Sequence, residues 1–124
     1  MGAQENKQTA KDAYAAFSSG DAEGAMRDID DNVKWTVRGD NALTGTYTGK
    51  QEVGELWGKL GSKGLRTAPT DYLGDGDTVV VLTDVTLDGN TVEAADILTY
   101  NGEGKLVAFE TRGDPSAFNA AFPK

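Results

Sequence analysis

Thr78-Val-Val-Val-Leu-Thr-Asp-Val-Thr-Leu87, Asp88-Gly89, Asn90-Thr-Val-Glu-Ala-Ala-Asp-Ile-Leu-Thr-Tyr100, Asn101-Gly-Glu-Gly104 and Lys105-Leu-Val-Ala-Phe-Glu-Thr-Arg112 read as three successive antiparallel strands joined by two tight turns. Asp88-Gly89 is the stronger turn signal, because a two-residue type I′ hairpin needs positive φ at both central positions. With Leu87 opposite Asn90, Asp96 falls opposite Val81 and Ala94 opposite Thr83. Paired residues share a face, so Val79, Val81, Thr83, Val85 and Leu87 lie with Val92, Ala94, Asp96 and Leu98. One carboxylate therefore projects from the more apolar face, and no Lys or Arg accompanies it there. A slip of one residue would reverse this. Such an acid is either the reactive group of a site or a carboxylate bonded to a hydroxyl or an amide near the sheet rim.

Working outward, the last strand alternates Leu106, Ala108 and Glu110 against Val107, Phe109 and Thr111, and Asp114-Pro115 opens a short helix over Ser116 to Phe122. Upstream, Asn6 to Ser19 places Ala10, Ala13, Tyr14 and Phe17 on one helical face, with Gly20 just past its end. Asp21 caps a second helix in which Ala22, Ala25, Met26 and Ile29 share a face, ended by Asp30-Asp31-Asn32. Val33 to Val37 alternates as a strand with Val33, Trp35 and Val37 inward. Arg38 to Gly49 reads as an irregular or loosely stranded connection, with Arg38 and Tyr47 either guarding a cavity mouth or simply exposed. Its glycines lack the Gly-Lys-Ser/Thr ending of a phosphate loop. Lys50 to Leu60 is a third helix with Val53, Leu56, Trp57 and Leu60 in a stripe. Leu65 to Leu73 is a strand broken at Pro69. Helices followed by a run of strands indicate an α+β fold, its N-terminal helices packed on one face of a curved, mainly antiparallel sheet, with residues 1–124 forming one domain.

Composition narrows the chemistry. The 124 residues contain no His and no Cys, which removes thiolate, Ser-His-Asp and zinc-site readings and leaves acid-base work to carboxylates, Tyr, Lys or Arg. No metal and no cofactor are expected. A net charge of −8 argues against nucleic acid and anionic membrane as partners, because both require clustered positive charge. No apolar run is long enough to span a membrane, and Met1-Gly-Ala-Gln-Glu-Asn-Lys7 has no signal-like apolar stretch, so a cytoplasmic location is expected.

Tyr14-Ala-Ala-Phe-Ser-Ser-Gly-Asp21, Asp31-Asn-Val-Lys-Trp35, Leu43-Thr-Gly-Thr-Tyr-Thr-Gly49, Gly76-Asp-Thr-Val-Val-Val81 and Gly104-Lys-Leu-Val107 resemble the SnoaL-like polyketide cyclase family. That family belongs to the nuclear transport factor 2-like superfamily, together with ketosteroid isomerase and limonene-epoxide hydrolase. The resemblance covers nearly the whole chain. It implies a cone-shaped fold enclosing a deep, mostly apolar cavity, often in a homodimer. It does not choose among isomerases, cyclases, hydrolases and binders that share the fold.

Residue by residue, the segment Asp96 to Leu106 is similar without a gap to the ketosteroid isomerase stretch whose oxyanion-hole acid matches Asp96. The isomerase's general base falls on Val37, and its oxyanion Tyr falls on Ala13, next to Tyr14. The base that the hydrolase and cyclase carry on the last strand falls on Thr111. Neither Val nor Thr takes a proton near neutral pH, so each parent mechanism lacks its base.

The expected site follows. Asp96 and Tyr14 are the catalytic candidates, Tyr14 either bonding to Asp96 across the cavity or packing as a helix-face aromatic. Phe17, Trp35, Val37, Tyr47 and Trp57, with Val81, Thr83, Leu98, Phe109 and Thr111, are the candidate ligand contacts. The expected ligand is a small apolar molecule with a carbonyl group, of polyketide, steroid or terpenoid type, either transformed by Asp96 or held without turnover. Val80, Leu82, Ile97, Ala95 and Ala108 make the other sheet face too apolar for water, so a homodimer through the sheet is expected unless the C-terminal segment covers that face.

Overall fold

A computed structural model describes residues 2–124. Helices α1 (Ala3–Ser18) and α2 (Ala22–Met26) lead into strand β1 (Ile29–Val37), strand β2 (Gly45–Thr48), helix α3 (Gly49–Ser62), strands β3 (Arg66–Asp75), β4 (Thr78–Leu87), β5 (Asn90–Tyr100) and β6 (Leu106–Gly113), and helix α4 (Ser116–Ala121). The six strands form one curved, open sheet in the order β2-β1-β6-β5-β4-β3. All neighbours are antiparallel except β1 and β6, which run parallel.

The β4–β5 hairpin has the expected register, Leu87 opposite Asn90 and Val81 opposite Asp96, and Asp88 and Gly89 adopt φ of 51° and 81° as a type I′ turn requires. The first helix ends as anticipated. Gly20 (φ 82°) sends its N–H to the Phe17 carbonyl and Asp21 sends its own to Ala16, which closes the last turn in a Schellman arrangement. The Asp21 side chain then accepts from the Gly24 N–H and starts α2.

Two local expectations are corrected, and one left open is decided. The second helix stops at Met26 rather than Ile29. The Leu106 N–H reaches the Asp28 carbonyl at 2.8 Å and Ile29 pairs with Leu106, so sheet pairing captures a residue whose helical spacing had pointed inward in any case. The 38–49 connection contains a true strand, β2, paired with Lys34 to Val37. In β6 an irregularity after Leu106 breaks the alternation. Tyr100 pairs with Leu106 but Thr99 pairs with Ala108, so Val107 is the extra residue and Leu106 turns inward beside Phe109 and Thr111.

The core lies between the sheet's concave face and the helices, in two adjoining clusters. One gathers Ala10, Ile29, Val33, Val53, Val79 and Val81; the other gathers Val37, Leu43, Leu56, Leu60, Leu87 and Ala117. Helix α4 joins the second cluster through Ala117 and Ala121 and therefore does not cover the opposite face, where Leu82 is 38% and Leu73 51% exposed. Asn119 ties α4 to the β1–β2 connection by accepting from the Asp40 N–H and Asn41 Nδ2, both at 3.0 Å.

Candidate functional site

A cavity of about 140 Å³ lies between the concave sheet face and helices α1, α3 and α4. Its floor follows the inward residues of β5, from Val92 through Ala94, Asp96 and Leu98 to Tyr100. This follows directly from the hairpin register, since alternate residues of one strand share a face.

Asp96 sits in the middle of that floor and is only 3% exposed. Strand pairing holds it between Val81 and Thr111. The Thr111 Oγ1 donates to its Oδ1 at 2.8 Å, and the Tyr14 phenol, arriving from α1, donates to its Oδ2 in a short hydrogen bond. Neither cation nor backbone amide is bonded to this carboxyl among the described residues. Burial raises the Asp96 pKa, and the bonds from Tyr14 and Thr111 pull against it without cancelling it. The Tyr14 phenol is pushed well above its ordinary range, first by burial and then by the charge of Asp96. The result is a carboxyl whose protonated form is favoured more than in an exposed Asp and a phenol held as a donor. That is the pairing needed either to give a proton to a carbonyl oxygen or to take one from carbon or water.

Around this pair the wall is aromatic. Trp35 stacks on Phe109 with centroids 3.7 Å apart, Trp57 meets Trp35 edge-on at 5.6 Å, and Phe17 meets Trp57 edge-on at 5.2 Å. These four rings, with Val37 and Leu98, line the same cavity as Asp96, Tyr14 and Thr111. The remaining three candidates lie outside the lining. Val81, beside Asp96 on the same sheet face, is fully buried in the core. Thr83 is buried as well, its hydroxyl turned to the Asp84 carbonyl at 3.3 Å. Tyr47 packs beside both core clusters and donates to the Leu43 carbonyl at 2.7 Å, which staples the β1–β2 connection. Arg38 touches one end of the cavity, but its guanidinium is held by Glu110 through two contacts of 3.0 Å.

Among the cavity residues outside the candidate list, three are instructive. Tyr100 continues the alternation Asp96, Leu98, Tyr100, a signal present in the strand itself. Phe118 reaches the cavity from α4, and Ala13 lines it beside Tyr14, where the isomerase's Tyr would stand. No group of three or more carboxylates converges as a metal site among the described residues.

The likenesses to known proteins agree with this geometry. Bal32a, from a soil-derived mobile gene cassette, superposes with a TM-score of 0.84 over 97% of this chain and 98% of its own at 20% identity. A nuclear transport factor 2-like protein of unknown function from Burkholderia pseudomallei K96243 gives 0.81 over 97% and 98% at 25% identity. TerC, crystallised with polyporic acid, gives 0.79 over 94% and 97% at 28% identity. No curated protein matches the sequence. The fold is thus the cone of the nuclear transport factor 2-like proteins, and a family model of the SnoaL-like domain matches residues 10–120, so the chain belongs to the SnoaL-like domain family.

Proposed function

We propose that this protein binds an apolar, carbonyl-containing small molecule in the cavity and transforms it by acid-base chemistry centred on Asp96, with Tyr14 as its hydrogen-bonding partner. The observation that carries the reading is a carboxyl 3% exposed, in the wall of an aromatic cavity, bonded by a phenol and a hydroxyl and, among the described residues, by no cation. When protonated, Asp96 donates to a ligand carbonyl; when ionised, it accepts a proton from the carbon beside that carbonyl or from water. The reaction is an isomerisation, cyclisation or hydrolysis, and it needs no cofactor. That TerC, a chain of this fold, was co-crystallised with polyporic acid supports an organic ligand for this protein. The protein acts in the cytoplasm as a homodimer through the exposed sheet face that carries Leu82 and Leu73.

A specific observation favours a second reading, a binding or storage protein without turnover. Both Asp96 oxygens already accept from Tyr14 and Thr111, and the base positions of the resembled enzymes hold Val37 and Thr111. The test is native mass spectrometry and thermal-shift screening of apolar carbonyl compounds, followed by product analysis on each compound that binds. Turnover that disappears in Asp96→Asn supports the enzyme; tight binding with unchanged ligand supports the carrier. Failure of every compound to bind refutes both.

A further inference from the structure

We propose that the Tyr100 end of the cavity is a second polar subsite, in which the Tyr100 phenol donates to a neutral acceptor at the far end of the ligand that meets Asp96. This rests on the reading of the cavity as a ligand site. Tyr100 is 3% exposed and lines the cavity, yet its phenol makes none of the hydrogen bonds formed among the described residues; only its backbone N–H is engaged, with the Asp77 carbonyl at 2.9 Å. Of the other phenols packed on this core, Tyr14 is bonded to Asp96 and Tyr47 to Leu43, while Tyr72, whose hydroxyl is also unbonded among the described residues, is only half-buried and does not line the cavity. Buried phenols ordinarily find a partner, so an idle one facing a cavity is a donor kept for something that enters.

Position and charge define what that something is. Asp96, Leu98 and Tyr100 project from one face of β5, so the Cα atoms of the two polar residues stand about 13 Å apart along the strand with an apolar residue between them. A ligand touching both is elongated, apolar in its middle and polar at each end. Asp28 lines the Tyr100 end and is paired with Lys105 at 3.6 Å. Its negative charge, after burial, pushes the Tyr100 pKa up, which keeps the phenol protonated and disfavours an anion beside it. The acceptor at this end is therefore uncharged, a carbonyl or an ether.

Two matched pairs of rod-shaped ketones test this: 4-acetylbiphenyl against 4,4′-diacetylbiphenyl, and bicyclohexyl-4-one against bicyclohexyl-4,4′-dione. Isothermal titration of the wild-type protein should show at least one diketone binding about 10-fold tighter than its monoketone, the worth of one buried hydrogen bond. Tyr100→Phe should abolish that preference while leaving monoketone affinity unchanged, and should melt no lower than wild type because no bond is lost in the empty cavity. A wild type without diketone preference, a variant weakening both partners alike, or a variant less stable than wild type overturns the subsite alone. A wild type that binds none of the four overturns the cavity reading and the subsite together.

Discussion

Replacing Tyr14 with Phe removes one hydroxyl from the carboxyl of Asp96 and little packing, since the ring keeps its edge-on contact with Tyr72 at 6.1 Å. The cost depends on what Asp96 is. A hydrogen bond to an ionised carboxylate is worth about 1.5–3 kcal/mol, one between neutral groups about 0.5–1.5 kcal/mol. Because the Tyr14 bond lowers the Asp96 pKa, deleting it raises that pKa further, and the loss grows as pH rises. We therefore expect Tyr14→Phe to cost more at an alkaline pH than at an acid one, rising toward about 2 kcal/mol where Asp96 is ionised from about 1 kcal/mol or less where it is protonated. In an Asp96→Asn background the same change should cost about 1 kcal/mol or less at both, because no charge remains to be stabilised. Urea unfolding of the four proteins at both pH values measures this directly. A Tyr14→Phe penalty that is equal at the two pH values, or undiminished in the Asp96→Asn background, would refute the claim that the phenol serves the ionised carboxyl.

Three further outcomes follow from the same structure. The raised Asp96 pKa means that its contribution to stability is fully present below the ordinary Asp pKa and declines as pH climbs to the folded value, so Asp96→Asn should be neutral or stabilising at neutral pH while weakening binding or turnover of carbonyl compounds; melts across pH paired with the ligand assay check both halves. Gly113→Ala should destabilise by about 1–3 kcal/mol, since Gly113 holds φ of 132° and an added Cβ would stand 2.9 Å from the Glu93 carbonyl oxygen; a denaturant melt unchanged from wild type would contradict this. Light scattering at micromolar concentration should give a dimer, and Leu82→Lys should return it to a monomer with its melting profile otherwise intact; a monomeric wild type removes the sheet-face interface.

What could be read ahead of the structure was whatever depends on local chemistry. Asp88-Gly89 admits one turn geometry, and from it the register of β4 and β5, the inward face and the place of Asp96 all follow by alternation. The β6 strand defeated the same logic because a single extra residue at Val107 shifts the alternation, and a bulge leaves no mark in hydrophobic pattern when the residues on both faces are apolar. Tyr14 could be placed on the right face of α1, but whether its hydroxyl meets Asp96 depends on how the helix docks across a sequence separation of 82 residues. Val81 and Thr83 share the floor's face and still miss the cavity, because the sheet's curvature and the packed helix decide which part of that face stays empty. Tyr47 was drawn away by a local carbonyl, a contact that spacing cannot foresee.

The aromatic wall has an optical consequence. The chain contains two tryptophans, Trp35 and Trp57, and their rings lie 5.6 Å apart on the lining of one cavity. Excitation at the red edge of the protein's absorption therefore comes from a single place, with no third indole elsewhere on the chain to dilute the signal. Any molecule entering the cavity must displace solvent from, or lie against, the emitters themselves, so quenching or a spectral shift reports occupancy without a label. The tyrosines, Tyr14 and Tyr100 among them, are energy donors to the same two rings, and light absorbed by the phenols over the middle and at one end of the cavity floor also leaves through its wall.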